Sequence, residues 1–175
     1  MSMAASMQNA GKGATLVEGA AAVDQVLRSF ADRGAFRSFD ASRGKGGTHV
    51  FRFGWLRDRV FTLVYDPRGS RMKMPGLFIA APRNPPMAAN LRSYLKTMAA
   101  EDRPPHRRVD PARMRVSVRS AANDIDLLAH VTEPDAGWAA RKLISLVNEI
   151  YMMFLSDPLY YEYRVKIFNA HPDWG

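Results

Sequence analysis

No cysteine occurs in the 175-residue chain. That excludes disulfides, thiolate catalysis and cysteine-based zinc sites together, and it fits a reducing compartment. No apolar run approaches the roughly 20 residues that a membrane helix needs. The longest, Leu143 to Leu155, is broken by Ser145, Asn148 and Glu149. The N-terminus MSMAASMQNAGKGA lacks the uninterrupted apolar segment of a secretory signal, and its first charge is Lys12. Residues 1–14 therefore read as a mobile tail before a single domain, residues 15–175, and the expected location is cytoplasmic.

Catalytic signatures are missing too. There is no Gly-x-Ser-x-Gly and no His-Glu-x-x-His, and His49, His106, His130 and His171 do not pair at metal-ligand spacing. Asp124 and Asp126 share a strand face but flank a turn, which they are expected to solvate. Glu149, beside Asn148 in an apolar helix, reads either as part of a buried polar pair, which would need partners, or as facing solvent or a dimer seam, the reading preferred here. No catalytic residue, metal ligand or cofactor is expected, and the role is read as binding.

What is present in excess is positive charge, net +8. It is uneven: residues 1–119 carry 21 basic and 9 acidic side chains, and residues 120–175 carry 4 and 8. Such asymmetry can steer an anionic partner to one surface, or can serve solubility alone.

Hydrophobic periodicity gives the elements. Leu16, Ala20, Val23, Leu27 and Phe30 recur at helical spacing, Thr15 to Glu18 has capping-box form, and Gly34 supplies a stop, so a helix is expected over Leu16 to Arg33. RGKGGT, Arg43 to Thr48, reads as a flexible loop without the phosphate-loop order. The period then becomes two. Phe51, Phe53 and Trp55 share one face, and Val60 to Tyr65 returns after a turn at Leu56 to Arg59. Asp66-Pro67-Arg68-Gly69 is a further turn. A third strand near Met72 to Ile79 contains Pro75-Gly76, which demands an edge or a bulge. A helix with Met87, Leu91, Leu95 and Met98 on one face follows Pro86. Met114, Val116 and Val118 then alternate with Arg113, Arg115, Ser117 and Arg119, and Ile125, Leu127, Ala129 and Val131 return after Ala122-Asn123-Asp124. Glu133-Pro134-Asp135 caps a helix over Ala136 to Leu155, and Ser156-Asp157-Pro158 separates a last one over Leu159 to Ala170. The fold class is α+β: one antiparallel sheet of about five strands with helices packed on it, in the order α-β-β-β-α-β-β-α.

Two groups stand out as partner-binding candidates. Arg113, Arg115 and Arg119 alternate out of one strand, and Arg107 and Arg108 lie in the preceding loop with Arg103. Arg52, Arg57 and Arg59 join them if the hairpins share a face. Guanidinium forks bind phosphate and carboxylate bidentately, so this face reads either as a docking site for nucleic acid or another anionic surface, or as a solvated sheet face. Tyr160, Tyr161 and Tyr163, with Trp174, read either as an isologous dimer interface or as packing against the domain.

The element order resembles the type III secretion chaperone-like fold, and in particular bacterial YbjN-type proteins. The resemblance is carried by THVFRFGWLRDRVFTLVYDP (Thr48 to Pro67), the helix after Pro86, the hairpin around Asn123-Asp124, and ARKLISLVNEIYMMFL. It covers most of residues 15–169. It implies a homodimeric, non-enzymatic protein that takes a segment of a protein partner in hydrophobic grooves. The calculated pI of about 10.1 departs from the acidic character of secretion chaperones.

Overall fold

The computed structural model describes residues 3–132 and 134–168, with side chains from residue 16 onward. Its elements are α1 (Met3–Asp32), β1 (Ser38–Arg43), β2 (His49–Trp55), β3 (Arg59–Asp66), β4 (Arg71–Phe78), α2 (Met87–Met98), β5 (Met114–Ala121), β6 (Asp124–Val131), α3 (Ala136–Glu149) and α4 (Tyr161–Phe168). The class is α+β with a single antiparallel sheet, as expected. The strands number six rather than about five, in the order β1-β2-β3-β4-β6-β5. β1, SFDASR, has an almost wholly exposed burial pattern, so it carries no clear alternation. RGKGGT is the β1–β2 connection, closed on itself: Gly44 N donates to Thr48 O at 2.9 Å and Thr48 Oγ1 to Lys45 O at 2.8 Å.

The two faces of the sheet differ as the alternation requires. Phe51, Phe53, Phe61, Leu63, Tyr65, Met72, Leu127 and Ala129 are buried on the side that the helices cover. Cross-strand partners on the other side include Arg52 with Thr62, Arg71 with His130, Arg115 with His130, and Arg119 with Asp126. That side stays open, with Arg52, His130, Arg115 and Arg119 exposed. Pro75-Gly76 forms the expected bulge: the β4–β6 register shifts between Met74 and Phe78, and Gly76 takes φ 59°. The carboxylates near the β5–β6 turn close this irregularity rather than solvating the turn. Asp126 Oδ1 accepts from Gly76 N at 2.8 Å, and Asp124 Oδ1 accepts from Ala80 N at 2.9 Å.

Helix α1 runs unbroken through Thr15, so the capping-box sequence there is not a helix start. Ala20, Val23, Val26 and Leu27 are its buried stripe, and it packs on α3. The two approach closely at Gly137, where a Cβ would lie 3.4 Å from the Ala22 Cβ and carbonyl oxygen. Asp135 caps α3, accepting from Trp138 N at 2.9 Å, while Glu133 lies outside the described residues. The helix expected to reach Leu155 instead changes pitch after Glu149, where Ile150–Phe154 form a π-helical turn closed by Leu155 N to Ile150 O at 2.9 Å. Ile150, Tyr151, Phe154 and Leu155 are all buried against the core through this wider turn. α4 is described to Phe168, so the expected end at Ala170, and with it Trp174 and His171, lies outside the described residues. Among the described residues no helix is long and apolar enough to cross a membrane.

Candidate functional site

The sheet's two outer strands, β1 and β5, each border a cleft. Two hydrogen bonds fix which way the β5 backbone points. Thr132 N donates to Arg113 O at 2.9 Å, and Val131 N donates to Ser70 O at 2.8 Å. β6 therefore turns its even-numbered residues toward β5 and its odd-numbered ones toward β4. In an antiparallel ladder the groups then alternate. Arg115, Ser117 and Arg119 bond to β6, and Val116, Val118 and Ser120 turn N–H and C=O to the outer edge. No backbone hydrogen bond is made at that outer edge among the described residues.

Beside this edge, α2 and β5 enclose a groove of about 410 Å³. Its floor is apolar, from Leu95, Met98, Val109, Val116, Val118 and Leu146. Its charged residues are Arg92, Lys96 and Arg115, with no carboxylate among the described residues of the lining. Arg115 and Ser117 line it from the open face and Val116 and Val118 from the helix face, so the groove reaches the strand's backbone edge. Arg92 and Lys96 stand four apart, outside the apolar stripe of α2. That spacing was readable in the sequence, but nothing there placed α2 beside β5.

The cleft at the other edge, between α1 and β1–β2, is larger, about 630 Å³. Ala20, Ala21, Ala41 and Phe51 line it together with Asp24, Arg43 and Arg68. Its His49 is held below the ordinary histidine value by burial and then by the nearby Arg43.

The arginines grouped by sequence divide between two sides of the molecule. Arg115 and Arg119 emerge from the open face with Arg52. Arg113 precedes β5 and turns to the helix side, its guanidinium 3.7 Å from the centre of the Trp138 ring. Arg107 pairs with Glu149 at 2.6 Å, and Arg103 joins the same oxygen at 3.1 Å. Glu149 thus sits half-buried between two arginines rather than facing solvent. Arg108 Nε donates to Ala99 O at 3.2 Å. The open face is itself partly neutralised, with Lys73 on Asp126 at 2.8 Å and Arg71 on Asp66 at 3.0 Å.

The terminal tyrosines also part company. Tyr160 is 1% exposed, its hydroxyl accepting from Asn90 Nδ2 at 2.7 Å. Tyr163 is buried, donates to Ile79 O at 2.8 Å, and has its hydroxyl pushed up to about 12 by burial. Both belong to the core and cannot form an interface. Tyr161 is 47% exposed, and Met152, Met153 and Leu159 are exposed in the same stretch of chain.

Among the described residues, no group of three or more His, Asp or Glu side chains is placed to hold a metal ion. No family model, no curated protein and no solved structure matches the chain.

Proposed function

We propose that this protein is a binding module, not an enzyme, that takes an extended segment of a protein partner along the outer edge of β5. The observation that carries this reading is the coincidence, among the described residues, of an unpaired strand edge with an apolar groove whose only charges are positive. A strand added to an edge gains main-chain hydrogen bonds, and pockets on alternate sides select its side chains. Here one side offers the Val116–Val118–Leu95 floor and the other offers Arg115 and Arg119. The partner segment should therefore alternate apolar and acidic residues. The resemblance to YbjN-type and secretion chaperone-like proteins supports the same role, chaperone-like or regulatory, in a cytoplasmic setting.

The homodimer belongs to the proposal, with its seam at Met152, Met153, Leu159 and Tyr161. Pairing through β5 itself is disfavoured, because two copies would gather four arginines, Arg115 and Arg119 from each, along one joint. Light scattering on the eluted protein should give twice the 19.6 kDa chain mass; a monomer at micromolar concentration would remove the dimer.

Selection from a display library of short random peptides tests the binding reading. Enriched peptides should show apolar–acidic alternation and lose binding to an Arg115→Glu/Arg119→Glu variant. Enrichment of basic or uniformly apolar sequences would count against it. The alternative reading, nucleic-acid or anionic-surface binding by the arginine face, now rests on Arg52, Arg115 and Arg119 alone. It predicts salt-dependent retention on nucleic acid that Arg115→Ser/Arg119→Ser abolishes.

A further inference from the structure

A smaller cavity, of about 350 Å³, lies where β5 turns into β6, beside the start of α2. Ser120 and Ala122 line it on one side, and Pro82, Arg83, Met87 and Arg92 on the other. Arg92 also lines the groove beside β5, so the two hollows follow each other along one strand edge. The groove is bordered by Arg115 to Val118 and the smaller cavity by Ser120. Ser120 is the last residue of β5 to turn its N–H and C=O outward.

The walls of this cavity are held in place. Ala81 N donates to Asn123 O at 2.7 Å, Ala80 N to Asp124 Oδ1 at 2.9 Å, and Arg83 Nε to Asn123 Oδ1 at 2.5 Å. The segment before α2 is thereby fastened to the β5–β6 turn. Met87 and Ile125, both buried, form the floor. Among the described residues, Asn123 engages only the Nε of Arg83, and Arg92 is in no hydrogen bond or ion pair, so both keep terminal guanidinium N–H groups for a ligand. Guanidinium forks bind a carboxylate bidentately.

We propose that the segment docked on β5 is the C-terminal end of its partner, with the terminal carboxylate held by Arg83 and Arg92. End capture rests on the edge-docking reading, and it adds where the segment stops and which way it runs. β5 runs from the groove toward the cavity, so an occupant that ends there lies parallel to β5. An antiparallel occupant that ended there would bring its N-terminal ammonium against two cations, which is unfavourable. Parallel pairing is slightly weaker per residue, and the captured carboxylate offsets that loss. The volume lies near the lower end of small-ligand pockets, roughly 300 Å³, and suits a last residue rather than a further length of chain. Met87 and Ile125 favour an apolar side chain on that residue.

Calorimetric titration of the full chain with an octapeptide of alternating glutamate and valine, ending in valine and matching the eight residues of β5, tests the captured end. The free acid is compared with the C-terminal amide. The acid should bind at least about tenfold more tightly, the difference expected of a charge-assisted hydrogen bond. Arg83→Gln with Arg92→Gln, both at exposed positions, should equalise the two affinities, and continued binding of the amide shows that the fold is intact. If the double variant fails to fold, the single change Arg83→Gln must reduce the preference for the acid. Equal binding of acid and amide by the unaltered protein, both lost with Arg115→Glu/Arg119→Glu, overturns end capture and leaves docking on β5 standing. An acid preference that survives loss of both Arg83 and Arg92 also overturns it. Binding of neither form into the millimolar range overturns both readings.

Discussion

The sheet ends in two strands that meet the problem of an exposed edge differently. β1 is six residues long, packs against α1, and has the Arg28 guanidinium 5.1 Å above the Phe39 ring. The bond from Gly44 N to Thr48 O implies that Phe39, Ala41 and Arg43 turn their backbone groups outward. The adjoining cleft mixes Asp24 with Arg43 and Arg68. β5 is eight residues long, and its outward groups face an apolar groove whose charged lining, among the described residues, is cationic. Short length, mixed charge and a covering helix are ways of discouraging strand addition. β5 also has a helix beside it, α2, but its arginines repel a second β5 and attract an acidic strand. An edge can thus be closed to most strands and left open to one kind.

The largest effect that sharpens this comparison is a pair of proline substitutions on β5. Ser117 and Ser120 are both exposed, but only Ser117 directs its N–H into the β6 ladder. Ser117→Pro should cost about 3 kcal/mol or more, and Ser120→Pro about 1 kcal/mol or less, in urea unfolding. Equal costs would mean that the assigned direction of the β5 backbone is wrong.

Asp126 comes next, since it fastens the β4 bulge to β6 on the β5 side of the sheet. Burial raises its carboxyl, but Lys73, the Gly76 N–H and Arg119 outweigh burial and hold it below the usual carboxylate value. A lowered folded value gives stability that is fully present above about pH 4 and is lost as pH falls through the folded value. Asp126→Asn should cost about 1–3 kcal/mol at neutral pH and flatten part of the acid limb of stability against pH. An unchanged acid limb would remove Asp126 from that role.

The smallest effect concerns the two-residue β5–β6 turn. Ala122 and Asn123 take φ 48° and 72°, a left-handed pair that a short hairpin favours but an alanine does not. Ala122→Gly should stabilise by about 1 kcal/mol in thermal unfolding, and a loss of stability would contradict the turn assignment.

The pattern of alternation made most of this architecture legible. The β2–β3 hairpin, the bulge at Pro75-Gly76 and the β5–β6 hairpin all follow from local periodicity and turn chemistry. β1 was missed because an exposed edge strand has no apolar face to write into its sequence. The π turn was missed because Ile150 to Leu155 fits a helical stripe nearly as well as the wider turn that buries four of its residues. The arginines misled for a related reason. Alternation placed Arg115 and Arg119 correctly on one face, but Arg113 lies beyond the strand and follows Trp138. The terminal tyrosines left interface and core packing both open, because an amphipathic ring suits either, and Tyr160 and Tyr163 take the second, with their hydroxyls satisfied inside the core. The groove needed α2 and β5 side by side, a relation between distant segments that no local pattern encodes.

Amide hydrogen exchange on the protein, free and bound to a selected peptide, tests the edge assignment most directly. Binding should slow exchange at Val116, Val118 and Ser120 and leave Phe39, Ala41 and Arg43 unchanged. Protection along β1 instead, or along neither strand, would contradict the assignment of β5 as the docking edge.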